Sequence, residues 1–115
     1  MIKGTTPTHV FNLPFETDLI EEVKITYSQS DIEVLSKTTT DCTFEGKTIT
    51  LALTQEETLL FNHHKNVQIQ VRVLTITNEV LASDIKIANV GKCLDNEVLV
   101  WVINLIWPLV KLIRF

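Results

Sequence analysis

Between Asn66 and Thr75 the chain reads Asn-Val-Gln-Ile-Gln-Val-Arg-Val-Leu-Thr, so Val67, Ile69, Val71 and Val73 share one parity and Gln68, Gln70 and Arg72 the other. A strand sends alternate side chains to opposite faces, so this segment is predicted as a half-buried strand with its four β-branched residues inward. A helix, with a period of about 3.6, would scatter the same residues around its circumference. The rest of the chain is predicted to pack around this strand.

Shorter runs repeat the alternation. Thr8 to Leu13 sets His9, Phe11 and Leu13 against Thr8, Val10 and Asn12, and Pro14 then ends the run for want of an amide hydrogen. This is a predicted first strand at a sheet edge, preceded by residues 1 to 7 as an unpaired arm with Gly4 and Pro7. Phe15 to Ile20 reads as a connection that tucks Phe15, Leu19 and Ile20 beneath the core. Glu21 to Gln29 carries Val23, Ile25 and Tyr27 inward, Ser28 to Asp31 is a turn rich in short polar side chains, and Ile32 to Lys37 is a third strand. Asp41 to Glu45 and Thr48 to Leu53 flank Glu45-Gly46, the glycine supplying the positive φ that a tight hairpin needs.

Thr54-Gln55-Glu56-Glu57 has capping-box spacing and predicts a helical turn through Phe61, with Leu59, Leu60 and Phe61 plugging the end of the core. His63 to Asn66 and Thr77 to Glu79 are predicted turns. Val80 to Ala82 and Asp84 to Val90 are the last strands, the second bringing Ile85 and Ile87 to one face before Gly91 breaks the run. About seven short strands, with turn signals every eight to twelve residues or so, predict an all-β, antiparallel, immunoglobulin-like sandwich over residues 1–95.

Residues 96–115 form a separate apolar tail. From Val98 onward only Asn104, Lys111 and Arg114 are polar. As a helix its 18 residues would span about 27 Å, just short of a hydrocarbon core of about 30 Å. Lys111 and Arg114 follow the apolar stretch while Asp95 and Glu97 precede it, an order that would place the β domain outside the membrane although nothing in the sequence exports it. Pro108 also interrupts the run. A helix in an assembly contact is therefore preferred to a membrane anchor or a non-functional extension.

Composition supports the fold and narrows the partners. Val, Ile and Thr account for 39 of 115 residues, a β-rich composition. The length suits one domain able to bury a core without staples. Residues 1 to 97 carry 8 Lys and Arg against 14 Asp and Glu, a net of −6, which disfavours nucleic acid and anionic membrane surfaces. The first residues have no apolar run or small-residue cleavage site, so a cytosolic start is expected. In that compartment Cys42 and Cys93 are expected as thiols rather than as a bridge.

Candidate chemistry is sparse. His63 and His64, as neighbours in an extended segment, would point to opposite faces, and no Cys or carboxylate is spaced to complete a metal site with them. His9 lies on the inward parity beside Phe11, as a core histidine bonded to backbone would. The adjacent carboxylates Glu21 and Glu22, and Glu56 and Glu57, fit solvation and capping better than acid–base catalysis. Phosphate-loop and nucleophile-elbow motifs do not occur, and Trp101 and Trp107 suit packing or a lipid interface better than sugar stacking. No catalytic, cofactor-binding or metal residue is assigned, and no cofactor or enzymatic activity is expected.

Several segments carry a family likeness: Gly4-Thr5-Thr6-Pro7-Thr8, His9-Val10-Phe11-Asn12-Leu13-Pro14, Asp41-Cys42-Thr43 with Glu45-Gly46, Leu53 to Thr58, Val67 to Gln70, and Cys93-Leu94-Asp95-Asn96-Glu97. On these the chain resembles small prophage and tailed-phage proteins of Gram-positive bacteria, and more loosely the N-terminal β-sandwich module of the siphophage baseplate upper protein. The resemblance covers roughly residues 1 to 99; the apolar tail departs from it. It implies a non-catalytic tail or baseplate module that self-assembles or docks on other virion proteins, residing in the host cytoplasm during assembly and then in the virion. Its docking surface would be an edge such as Thr8 to Leu13. A membrane-anchored or carbohydrate-contacting adhesin is the alternative.

Overall fold

A computed structural model describes residues 1–100; the predicted helix over the apolar tail lies almost wholly outside them. Eight strands occur in this part: β1 (Thr8–Asn12), β2 (Ile20–Gln29), β3 (Ile32–Thr38), β4 (Cys42–Glu45), β5 (Thr48–Ala52), β6 (Val67–Thr75), β7 (Val80–Ala82) and β8 (Lys86–Ala88). One short helix, α1 (Gln55–Leu59), lies between β5 and β6. The fold is mostly antiparallel β in two sheets. One has the order β1-β5-β4, and the other the order β3-β2-β6-β7 with β8 also on β6.

The inward parity of β6 is as the alternation predicts: Val67, Ile69, Val71 and Val73 are all buried. They pair with β2 so that Val73 faces Val23, Val71 faces Ile25 and Ile69 faces Tyr27. Ile49 and Leu51 of β5, with Leu53, Phe61 and Val90, complete the buried cluster. At about 25 cal/mol per Å² of apolar surface removed from water, these side chains are the main source of stability.

The hairpin at Glu45-Gly46 forms as predicted, Gly46 taking φ +57°. Both bonds of the capping box are present: the Glu57 amide donates to the Thr54 hydroxyl at 3.2 Å, and the Thr54 amide to the Glu57 carboxylate at 2.8 Å. The same carboxylate pairs with Lys37 of β3, tying α1 to the second sheet. Helix α1 stops at Leu59, short of the predicted Phe61. Phe61 does plug the core, whereas Leu60 is turned out to solvent. Leu19, expected beneath the core, is also exposed, because the 3₁₀ turn Thr17–Leu19 buries none of its residues.

Two departures bear on the site. Residues 1–3, expected as an unpaired arm, are tied to the end of the domain. Lys3 N–H donates to the Gly91 carbonyl at 3.1 Å, and Gly91 N–H to that of Met1 at 2.6 Å. A Cβ on Gly91 would lie 2.9 Å from Ile2 Cγ1, so any larger residue there would force the Ile2 side chain to shift. Further along, Ile85 and Ile87 do share a parity, but it is the outer one, and both are exposed. Their partners in β6 decide this: Ile87 sits opposite outward-facing Gln68, and Lys86 opposite inward-facing Ile69.

Candidate functional site

The two sheets are joined along one flank by the chain from β3 through the 3₁₀ turn Thr39–Asp41 into β4. The opposite flank is open. There β1 is the edge of one sheet, and β7 and β8 together form the edge of the other. A cavity of about 390 Å³ lies between them, bounded by β1, Ile69, Val71, Ser83 and Lys86. A second of about 310 Å³, running toward Pro14, Phe15 and Leu81, shares Asn12, Leu13, Val71 and Ser83 with the first. They make one apolar groove with Lys86 on its rim.

The β1 side follows from the pairing register. Leu53 N–H donates to the Pro7 carbonyl and Leu13 N–H to that of Lys47, and between them Thr8 faces Ala52 and Asn12 faces Thr48. Antiparallel ladders alternate hydrogen-bonded and non-bonded pairs, so the odd residues Pro7, His9, Phe11 and Leu13 bond toward β5. The N–H and C=O of Thr8, Val10 and Asn12 consequently point out from the sheet, and among the described residues none has a partner. Their side chains are exposed, Val10 at 58%, while His9 and Phe11 are half-buried over the groove.

The facing edge is differently built. Ser83 N–H donates to the Val71 carbonyl at 2.8 Å, but Val71 N–H returns its bond to the Ser83 hydroxyl, not its carbonyl. That carbonyl is turned aside to the Gln70 side chain. The pairing then slips by one residue before Lys86 meets Ile69, so β7 and β8 form one edge interrupted by a bulge. Bulges of this kind blunt an edge against further pairing. Edge β3 is also irregular opposite Tyr27 and Ser28 and carries Glu33 and Lys37, and β4 ends in Glu45. Strand β1 is the uncharged and regular edge.

At the inner end of the groove His9 Nδ1 lies 2.7 Å from the Tyr27 hydroxyl, and the Tyr27 ring in turn packs on Phe61 at 6.0 Å between centroids. Tyr27 is wholly buried. Burial, followed by the nearby Cys42 and Glu57, holds its phenol protonated well above the usual range. Desolvation and then the N-terminal ammonium pull His9 below its ordinary value. The bond joins the imidazole to the buried phenol, so the partner of His9 is a side chain instead of the expected backbone group.

The other sequence candidates are scattered. His63 and His64 lie in the turn predicted over residues 63 to 66, where their tilted rings meet with centroids 3.9 Å apart instead of pointing to opposite faces as in an extended segment. Desolvation, then the charges of His64, Lys92 and Lys3, keep His63 below its ordinary value, so it resists carrying a proton. Among the described residues no three His, Cys, Asp or Glu side chains gather as a metal site requires. Cys42 and Cys93 are free thiols, and burial, then Asp41, raises that of Cys42. Glu21, Glu22 and Glu56 are exposed. Trp101 and Trp107 lie outside the described residues, within which no helix is long and apolar enough to cross a membrane.

The edge character of β1 was legible from its position and from Pro14; the groove was not, because its floor belongs to a strand 56 residues further on at Ile69 to Val71. Comparison with family models, with curated proteins and with solved structures returns no match.

Proposed function

We propose that this chain is a non-catalytic β module of a phage tail or baseplate, of immunoglobulin-like size, that assembles by accepting an extended strand along β1. The observation that carries this reading is the free edge of Thr8, Val10 and Asn12, with an apolar groove beside it. Strand addition draws affinity from main-chain bonds and selectivity from side chains in adjoining pockets, and this flank offers both. Most soluble β proteins blunt such an edge with charge, proline or a bulge, and here only the neighbouring edges are so treated. The tail assignment itself comes from the family likeness of residues 1 to 99. On this reading the chain resides in the host cytoplasm during assembly and afterwards in the virion.

The test is whether the full chain is a fixed-stoichiometry component of assembled particles purified from the source strain. It is expected in tails or baseplates, resistant to salt washing. Particles that are complete without it, and that fail to bind the purified chain, would overturn the assignment.

A further inference from the structure

We propose that the strand accepted by β1 is β1 of a second copy, paired antiparallel about a two-fold axis through Val10. This rests on the docking reading above and names its occupant. The six outward groups of Thr8, Val10 and Asn12 are three donors and three acceptors at every second residue, the spacing that an antiparallel neighbour requires. With Val10 opposite itself, Thr8 falls opposite Asn12 of the second copy and Asn12 opposite its Thr8. Each of these three positions exchanges two bonds, so all six groups in each copy are satisfied at once. The interface is isologous, as the two-fold dimers that dominate soluble oligomers are.

The side chains fit the same register. On the outer face the exposed Val10 meets its own copy at the axis, flanked by Thr8 hydroxyls within reach of Asn12 amides. On the inner face His9 falls opposite Phe11 of the second copy. Between Thr8 and Asn12 there is no charge to repel its equivalent. One step further the pairing would need an amide hydrogen from Pro14, which has none, so the ladder is limited to this length. The result is a continuous six-stranded sheet, β4-β5-β1 running on into β1-β5-β4. Because the axis is normal to that sheet, the two grooves open toward one another and the second copy covers each.

Sedimentation of the full chain, with three single variants, tests the pairing. Val10→Lys places like charges opposite one another at the axis, and Val10→Pro removes an outward N–H that β5 does not use. Thr43→Lys alters an exposed residue of β4 and serves as the control. Wild type and Thr43→Lys are expected to dimerise with concentration, while both Val10 variants remain monomeric at ten times the wild-type midpoint, with unfolding midpoints equal to those of wild type diluted to monomer. Val10→Cys adds a geometric readout: bonded antiparallel pairs hold their Cα atoms about 5.5 Å apart, within disulfide range, so oxidation should give a covalent dimer that Thr43→Cys does not. A wild type monomeric up to roughly 1 mM would overturn the proposal. So would a dimer that survives both Val10 changes. If those variants lost particle incorporation while self-association was untouched, self-pairing would fail and the docking reading would stand.

Discussion

Gln29 is the buried polar side chain on which the turn before β6 depends. It closes β2, is 6% exposed, and continues the inward parity of Val23, Ile25 and Tyr27. Its Nε2 donates to the carbonyls of Asn62 at 2.8 Å and Lys65 at 3.0 Å, and its Oε1 accepts from Asn62 N–H at 2.8 Å. Gln29→Met keeps the shape and deletes all three bonds. Each bond contributes about 1 kcal/mol net, and a buried group left bare costs about 1–3 kcal/mol. Asn62 and Lys65 are themselves exposed, so water can re-solvate part of their backbone. The expected loss is therefore about 2–3 kcal/mol, read as a lower urea midpoint at unchanged slope. In a domain of this size that is a fall in Tm of roughly 10–20 °C. Gln29→Glu sharpens the test by turning a carboxylate toward two carbonyls. Its folded pKa is expected above the unfolded value, so it should destabilise more than Met at neutral pH and recover as falling pH protonates it into a donor. A Gln29→Met protein within about 0.5 kcal/mol of wild type would refute the reasoning.

Two further outcomes follow from the same structure. Partial burial raises the Glu57 carboxyl, but its bonds to Lys37 and the Thr54 amide outweigh this and hold it below its usual value. The stability it adds is present above the unfolded carboxylate range near pH 4.5 and is lost as pH falls through the lower folded value. Urea midpoints from pH 7 to pH 3 should thus fall less steeply in Glu57→Gln, which is expected to cost about 0.5–1 kcal/mol at pH 7. Gly46 has φ +57° and open space where a Cβ would go, so Gly46→Ala should cost about 1 kcal/mol through backbone strain alone, and Gly46→Asn less, by urea unfolding.

Where local chemistry and tertiary packing agree, the chain was readable. Period-two alternation placed β2 and β6, Gly46 placed the hairpin, and Thr54 with Glu57 placed the start of α1. What failed was the choice of face for residues lying at an edge. Ile85 and Ile87 have the composition of core residues, yet β8 pairs with β6 on one side only and in a register set by the bulge at Ser83. A one-residue slip reverses every side chain, and no local signal reports it. Leu60 and Leu19 turn outward at the ends of short turns, Leu60 as the residue after α1 and Leu19 closing a 3₁₀ turn that buries none of its residues. The groove joins residues distant in sequence, and its floor reads simply as the inner face of a strand.

The burial of Tyr27 between His9 and Phe61 has a practical consequence. It is the sole tyrosine, and both tryptophans fall at positions 101 and 107. The second-derivative absorbance of the phenol therefore reports whether the interior between the two sheets is intact, while red-edge excitation of the indoles reports separately on the environment of the apolar tail. One unlabelled sample can thus distinguish melting of the body from a change at the C-terminal end.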